Sequence, residues 1–555
     1  MTKVKLALLC VLFSLALAPA RAEQRAAGPE YLAQGWTAAE RETFYYTPQG
    51  SEVLPYAWFL ALEQPWSERP FREDAYLASF NYLPERKSAS NPDGLPVGFV
   101  RGKTRAGEEW FGLSCAACHT GQLTYQGRTL RVDGGTTLAD VLGFQTALVM
   151  ALRATLAYPP KLARFARRVL GGRADAANLR ALEEKMRGVL FEMGAWEASS
   201  RPVQRHGFGT WDAINILMNT INATALSEPS NNRTPEVPVS YPSIWLTMSS
   251  DWLLWNASIQ NATVRAVGEV IIVFGRAKVT AGAGGLSFST SADVRALNGM
   301  YQALKKLTPP KWPQDLLGRI DQAKAGAGHQ LYLREGCVKC HHDQPPYPMT
   351  PKDAAGNQYI QIAHTPLAQV GTDPTYARYF VGRTAVPALM APAFRGTAIE
   401  GQPVIPAALL FLATLTGITV AEVDRVARSD PERQELLGNR PVPSLPKTKA
   451  ELDALVSGLL AYKAGPLAGV WSTAPYLHNG SVPTLHDLLL PPERRPRTFT
   501  LGRQEFDPVN VGYRTEGGGF TYDVSVRGQS NAGHLWGTTL NEDERQSLLE
   551  YLKTL

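Results

Sequence analysis

The sequence shows little excess of charge of either sign and few of the short motifs that identify common enzyme classes. It holds 56 lysines and arginines against 50 acidic residues in 555, a balance that argues against a nucleic-acid-binding protein. No P-loop, His-Glu-x-x-His or Gly-x-Ser-x-Gly motif is present, so the usual signs of nucleotide hydrolases, zinc proteases and serine hydrolases are missing. Apolar residues nevertheless make up 44% of the chain, which excludes disorder over most of its length.

Residues 1–22 have the pattern of a secretory signal peptide. Two lysines precede an apolar run at 6–17, and Ala20-Arg21-Ala22 forms a small-x-small cleavage signal. The run is shorter than the roughly 20 residues that span a bilayer. We therefore expect cleavage before Glu23 and a periplasmic or secreted protein without a membrane span. The next apolar run, 407–421, is interrupted by threonine and glycine and predicts a buried helix.

The remaining four cysteines form two copies of one pattern, Cys-x-x-Cys-His. The copies are Cys115, Cys118 and His119, and Cys337, Cys340 and His341. Two thiols at this spacing can reach the two vinyl groups of one porphyrin as thioethers, and the adjacent histidine can ligate the iron. The pattern predicts two covalently bound haem c groups.

Disulfides, a redox dithiol and one zinc ion shared by both pairs are the alternative uses of these cysteines. Zinc ribbons separate their cysteine pairs by about 15–20 residues, far fewer than separate the pairs here. A thioredoxin-like site does not require the histidine that follows both pairs. These comparisons favour haem attachment.

Helical patterns and the abundance of glycine and proline, 48 and 40 residues, predict a mainly α fold with little sheet. We expect two cytochrome c-like haem domains with long loop-rich insertions, at residues 23–315 and 316–555. Capping boxes predict helices that begin after Thr448 and Asn541.

The segment Trp471-Ser-Thr-Ala-Pro-Tyr-Leu-His-Asn-Gly-Ser-Val-Pro-Thr-Leu485, with the two Cys-x-x-Cys-His motifs, resembles the di-haem cytochrome c peroxidase superfamily. The chain looks closest to the branch of rubber oxygenase A and the periplasmic di-haem fatty-acid dioxygenases. Further resemblance lies at residues 45–59, at 265–275 and from 506 to the end.

This resemblance implies a division of labour between the haems. The first haem would have an open sixth position for O2 or peroxide, with His119 as the proximal ligand of the active iron. The second would be closed by two protein ligands, with His341 as the proximal ligand of an electron-transfer iron.

The distal ligand of the second haem is predicted from its position. In small cytochrome c domains this ligand lies on a loop just before the C-terminal helix, and His534 lies seven residues before the capping residue Asn541. His478 and Met390 are the alternatives. His486 is interpreted as a surface or helix-cap histidine.

A tryptophan-rich stretch is the candidate lining of the first haem's distal pocket or an electron relay between the haems. The candidates are Trp245, Trp252, Trp255 and Asn256. Burial in an ordinary core is the alternative for the tryptophans. Arg265 and Glu269 match the branch pattern and would anchor a propionate or a helix start, or form a surface ion pair.

Three functions are compatible with this sequence. The favoured one is a dioxygenase that adds O2 to an unsaturated apolar substrate, an isoprenoid or fatty acid, as a small molecule or polymer. The second is a peroxidase that reduces hydrogen peroxide with electrons from a small periplasmic redox protein. The third is an electron carrier with both irons closed.

Overall fold

A computed structural model describes residues 28–353 and 355–555. The predicted signal peptide lies outside these residues. The fold is 41% helical and 15% strand, so the prediction of a mainly α protein with little sheet is wrong. The strands of the described part form eight small sheets of two or three strands each, which makes the fold mixed α/β.

The helices are distributed along the whole described chain. They are α1 (Ala38–Tyr46), α2 (Tyr56–Ala61), α3 (Asp74–Ala78), α4 (Val141–Ala157), α5 (Pro159–Leu170), α6 (Ala176–Ser200), α7 (Ala213–Asn219), α8 (Ala262–Ile272), α9 (Val294–Leu304), α10 (Gln314–Leu317), α11 (Gln322–Arg334), α12 (Leu367–Val370), α13 (Thr375–Gly382), α14 (Ala407–Val426), α15 (Asp430–Leu437), α16 (Lys449–Leu459), α17 (Leu485–Leu488) and α18 (Glu542–Leu552).

The strands of the described part are two to six residues long. They are β1 (Glu30–Tyr31), β2 (Leu54–Pro55), β3 (Phe99–Lys103), β4 (Glu109–Leu113), β5 (Thr120–Tyr125), β6 (Arg128–Asp133), β7 (Thr210–Trp211), β8 (Val239–Ser240), β9 (Ala277–Gly282), β10 (Gly285–Thr290), β11 (Ala363–Pro366), β12 (Thr384–Ala385), β13 (Ile405–Pro406), β14 (Ala461–Ala464), β15 (Thr498–Leu501), β16 (Phe506–Asp507), β17 (Gly512–Tyr513) and β18 (Phe520–Asp523).

Two antiparallel hairpins frame the first cysteine motif. Strand β4 pairs with β3, with Leu113 opposite Phe99, and β5 pairs with β6, with Thr120 opposite Asp133. Each segment is five or six residues long and contains β-branched or aromatic side chains, but none alternates strictly between apolar and polar residues. Segments this short give no clear strand pattern in the sequence. The abundance of glycine therefore favoured the prediction of loops.

The helices predicted from capping signals are present. Thr448 and Asn541 each accept from the third helical residue in a complete capping box, which confirms α16 and α18. Helix α18 packs against α11, and Gly328 permits their close approach, because a Cβ at this position would lie 2.0 Å from the Ser547 carbonyl oxygen.

Helix α14 confirms the predicted buried helix. In the described part it is the single helix that is long and apolar enough to cross a membrane, and a second candidate arises only if α4 and the bent segment after it are counted together. Within its most apolar window, 67% of α14 is buried inside the protein.

The two predicted haem domains, 23–315 and 316–555, stay a prediction, and the two parts of the chain are joined by many contacts. Strand β5 bridges to Glu505, and the indole nitrogen of Trp471 donates to the Pro310 carbonyl at 2.9 Å. The core of large buried aromatics runs through both parts.

Candidate functional site

The first cysteine motif lies in the connection between the two hairpins. After β4 the chain forms a 3-10 turn at Cys115–Ala117, in which the His119 N–H donates to the Cys115 carbonyl at 2.9 Å. Gly98 lies against this turn, since a Cβ there would be 2.1 Å from the Ala117 nitrogen. The turn is thus held between strands, and His119 is 8% exposed.

The second motif has the same local turn in a different setting. Helix α11 ends before Gly336, whose φ of 76° reverses the chain into a 3-10 turn at Cys337–Lys339. The His341 N–H donates to the Cys337 carbonyl at 2.9 Å. None of these four cysteines forms a disulfide in the described structure, which leaves all four available for thioether attachment.

Both motif histidines are oriented by a backbone carbonyl from a distant segment. The Nδ1–H of His119 donates to the Pro242 carbonyl at 2.9 Å, and that of His341 to the Gly465 carbonyl at 2.9 Å. Because a carbonyl only accepts, this contact places the proton on Nδ1 and leaves the Nε2 lone pair free for a metal.

Burial keeps these imidazoles unprotonated. It lowers the pKa of His119 to about 3, with the charge of Arg265 acting in the same direction. Burial also lowers the pKa of His341, with a smaller contribution from neighbouring His342. Both rings are therefore competent ligands at neutral pH.

His534 faces His341 across the second site. The two ring centres are 6.2 Å apart, with 44° between the ring planes. An imidazole nitrogen lies about 2 Å from a first-row metal ion, so two imidazoles on opposite sides of one ion have ring centres about 6 Å apart. The pair fits a bis-histidine iron, although ligation by His534 itself stays a prediction.

The loop that carries His534 is anchored by buried Arg495. This guanidinium, 2% exposed, donates to the carbonyls of Gly533 at 2.9 Å and of His534 at 3.1 Å. The His534 N–H donates to the Val370 carbonyl at 2.8 Å. His534 adopts a φ of 49°, which is uncommon for a residue with a side chain, so these contacts compensate for an unfavourable backbone conformation.

The alternative distal ligands have other surroundings. The ring of His478 lines the same cavity but stacks on Tyr462 with ring centres 4.1 Å apart. Met390 is buried in a 3-10 helix, Ala388–Phe394, outside the residues that line the cavity. His486 lies near the surface, with its Nε2 3.2 Å from a Glu542 carboxylate oxygen.

A cavity of about 350 Å³ lies at the second motif and extends as far as Pro242. Cys337, Cys340, His341 and His534 line one end of it, and Pro242, whose carbonyl orients His119, lines another part. In the described part no group of three or more His, Cys, Asp or Glu side chains forms a metal site. The two cysteine pairs therefore do not come together as the ligands of one shared zinc ion.

The four candidate residues of the tryptophan-rich stretch do not share one pocket. Trp245 and Trp255 line the cavity of about 350 Å³. The Trp245 indole N–H donates to the Ala468 carbonyl at 2.9 Å, and that of Trp255 to the Ser240 carbonyl at 3.1 Å. Trp252 lies in a separate open pocket, where its ring packs edge-on against that of His364. Asn256 is fully buried, and both polar atoms of its amide lack a protein partner.

Arg265 and Glu269 form an ion pair on α8 near the first motif. The guanidinium donates to the Glu269 carboxylate, and the side chains are 8% and 29% exposed. Burial dominates and raises the pKa of Glu269 despite the neighbouring guanidinium. The charges of both residues also act on the pKa of Cys115. The pair is therefore not a surface ion pair distant from the first motif.

Sequence reasoning missed three contributors to these sites. The Pro242 and Gly465 carbonyls are backbone atoms, which leave no sequence signal. Lys463 lines the cavity, and burial lowers its pKa to about 8, with the charge of Arg265 adding to the effect. The only available signal was its isolated charge inside the apolar strand β14.

The surroundings of the second motif match a known family. Residues 461–500 match the family described as RoxA-like, cytochrome c-like. This segment supplies the Gly465 carbonyl, His478 and Arg495. The match supports a haem c cofactor and a redox function.

Two proteins of Sinorhizobium fredii are similar to this chain, one over nearly its whole length and one over part of it. "Uncharacterized protein y4iJ" is 32% identical over 581 residues, which cover 95% of this chain and 93% of that protein. "Uncharacterized protein y4iM" is 26% identical over 372 residues, covering 62% of this chain and 71% of that protein. The chain therefore belongs to the family of y4iJ, and within it residues 461–500 form a RoxA-like, cytochrome c-like segment.

Proposed function

We propose that the protein is an exported di-haem c dioxygenase that adds O2 to an unsaturated apolar substrate, an isoprenoid or a fatty acid, at the first haem. The observation that carries this proposal is an asymmetry between the two sites. At the second site two imidazoles face each other with centres 6.2 Å apart. Among the described residues, no histidine ring faces His119 in the same way.

The asymmetry matters because of what haem iron supplies. A haem c held by one imidazole has a free position for O2 or peroxide, whereas one held by two imidazoles exchanges electrons. His119 therefore supports the reactive role for the first site, and the pair of His341 and His534 supports the electron-transfer role for the second.

The residues of the first site prepare it for chemistry away from water. The Pro242 carbonyl fixes the tautomer and orientation of His119, and burial keeps its imidazole neutral. Arg265 and Glu269 place a compensated pair of charges beside Cys115, where an unpaired charge would be costly.

The cavity that extends from the second motif to Pro242 suits an electron route between the two sites. Trp245 and Trp255 present indole rings whose N–H groups are already bonded to backbone carbonyls, so their remaining surface is apolar. Trp255 is the candidate relay, because its ring lies near that of His478 and both line the cavity that His341 also lines.

The test combines haem counting, ligand binding and turnover of the purified full-length protein. We expect two covalent haems per chain, CO binding at one reduced haem, and a second haem that stays six-coordinate and low-spin by EPR. We then expect O2 uptake with an olefinic substrate in the absence of an electron donor.

Other outcomes select other functions. Turnover of hydrogen peroxide with a reduced donor, without O2 uptake, would identify a peroxidase. Two haems that accept no external ligand would identify an electron carrier. Export is tested separately by sequencing the mature N-terminus, which we expect to begin at Glu23.

A further inference from the structure

A surface remote from both cysteine motifs combines exposed aromatic rings with positive charge. The three most exposed aromatic side chains of the described part are Phe191, Trp66 and Tyr158, at 78%, 76% and 52% exposure. All three lie on or beside helices α4, α5 and α6. Large aromatic rings are rarely left so exposed unless they contact a partner.

The three rings lie on elements that contact one another. Trp66 is at the tip of a tight loop, and the Lys161 ammonium at the start of α5 donates to two carbonyls of that loop, those of Gln64 at 2.6 Å and Ser67 at 2.7 Å. Tyr158 is the residue directly before α5. Ala157 then lines an open groove of about 640 Å³ that also contains Phe191.

The groove has the chemistry of an amphiphile site. Leu156, Leu190 and Phe191 are among its apolar lining residues. Arg153 and Arg187 also line the groove, and no acidic side chain does. The two guanidiniums are 57% and 67% exposed, and their nearest carboxylates are at 3.8 and 3.6 Å, beyond normal hydrogen-bond length.

Positive charge is concentrated around this groove. Residues 153–187 hold nine lysines and arginines against three acidic residues, which equals the net charge of +6 of the whole chain. Arg167, Arg173 and Arg180 are exposed and form no ion pair within the described residues. Glu63 and Glu68 neutralise part of the charge of α5 but leave these three arginines free.

We propose that this surface, formed by the loop of Trp66 and helices α4 to α6, binds anionic phospholipid bilayers. Exposed tryptophan and tyrosine favour the headgroup region, and nearby cations attract anionic headgroups. An acidic protein would need matched pockets for three rings on separate elements, whereas a fluid lipid surface needs none. The proposal is independent of the chemistry at the haem sites.

Sedimentation with vesicles tests the proposal on the full-length haem-loaded protein. We expect binding to phosphatidylcholine vesicles that contain phosphatidylglycerol at a ratio of about three to one, and little binding to pure phosphatidylcholine. Raising NaCl from about 0.05 M to about 0.5 M should release the protein, since the charges become screened.

Two sets of substitutions separate charge from aromatic contact. Arg153→Gln with Arg187→Gln should weaken vesicle binding about thirtyfold, because each cation near the surface contributes about a fivefold effect. Trp66→Ser, Tyr158→Ser and Phe191→Ser together should weaken it about tenfold or more. Val509→Ser with Arg527→Gln is the matched control, as these side chains are 61% and 67% exposed elsewhere.

Three results would overturn the proposal. One is equal binding to neutral and anionic vesicles, and another is an equal loss of binding in the control. The third is retention on immobilised polyglutamate without vesicle binding, which would assign the surface to an acidic protein. Unchanged far-UV circular dichroism and haem content in every variant exclude misfolding as the cause.

Discussion

The two Cys-x-x-Cys-His motifs have nearly the same local structure and very different surroundings. In each, a 3-10 turn places the histidine N–H 2.9 Å from the carbonyl of the first cysteine, and the histidine Nδ1 lies 2.9 Å from a distant carbonyl. The first turn connects two strands, whereas the second follows helix α11. The second alone faces another histidine ring in the described structure.

The motif therefore sets the same local turn at both sites, while distant segments set the surroundings of each histidine. His534 lies almost two hundred residues after His341 in the chain, and the loop that brings it opposite His341 is anchored by Arg495. At the first site the distant contributions are the Pro242 carbonyl and the ion pair of Arg265 and Glu269. Substitutions that act on one site only therefore test the comparison.

The largest effect is expected from removing one pair of thiols. Cys115→Ala with Cys118→Ala should reduce covalent haem from two to one per chain, because both thioethers of the first site are lost. The pyridine haemochrome assay and the intact mass measure this directly. Cys337→Ala with Cys340→Ala should also leave one haem per chain, but the haem that remains should be the one that binds CO. An unchanged haem content in either variant would contradict covalent attachment.

The next effect concerns the imidazole that faces His341. His534→Ala should convert the second haem from a low-spin six-coordinate form to one that binds CO, so that both haems of the chain now bind it. Optical titration with CO and EPR measure the change.

His478→Ala is the matched control for this variant. His478 lines the same cavity, but its ring stacks on Tyr462. If His478→Ala opens the second haem and His534→Ala does not, the assignment of the distal ligand is reversed.

A smaller effect is expected at Arg495. In our proposal this residue positions His534 and does not itself contact a haem. Arg495→Met leaves buried carbonyls, including those of Gly533 and His534, without their donor, and should lower the free energy of unfolding by about 3 kcal/mol. The released loop should also give a mixture of low-spin and high-spin signals from the second haem. Arg494→Met changes the exposed neighbour, and it should alter neither denaturant unfolding nor the EPR spectrum.

Parts of the second site could be predicted from the sequence because its signals are local. The capping box after Asn541 fixes the start of α18, and His534 lies at the loop position just before that helix. The same reasoning interpreted His486 as a surface or cap histidine, and its contact with Glu542 near the surface agrees with that position.

The first site was harder to predict because its parts are brought together by short strands. Neither hairpin shows a period long enough to distinguish it from a loop, which is why the mainly α prediction failed there. Trp245 and Trp255 reach the cavity while Trp252 does not, although all three are close in sequence. The chain around them is irregular, with positive φ at Leu254 and Ala257, so no regular period relates their side chains.

The last prediction concerns an effect that is absent at neutral pH, and it tests whether the surroundings of His206 exclude water. His206 is 3% exposed, and burial lowers its pKa from the ordinary 6.5 to about 4. Between these two pH values the unfolded chain binds a proton that the folded protein does not, so stability is fully present above pH 6.5 and is lost as pH falls toward 4. His206→Gln should remove about 1.4 kcal/mol per pH unit from the slope in this window. Chemical denaturation at several pH values measures the slope, and a variant with the slope of the parent protein would mean that water reaches His206 in the folded protein.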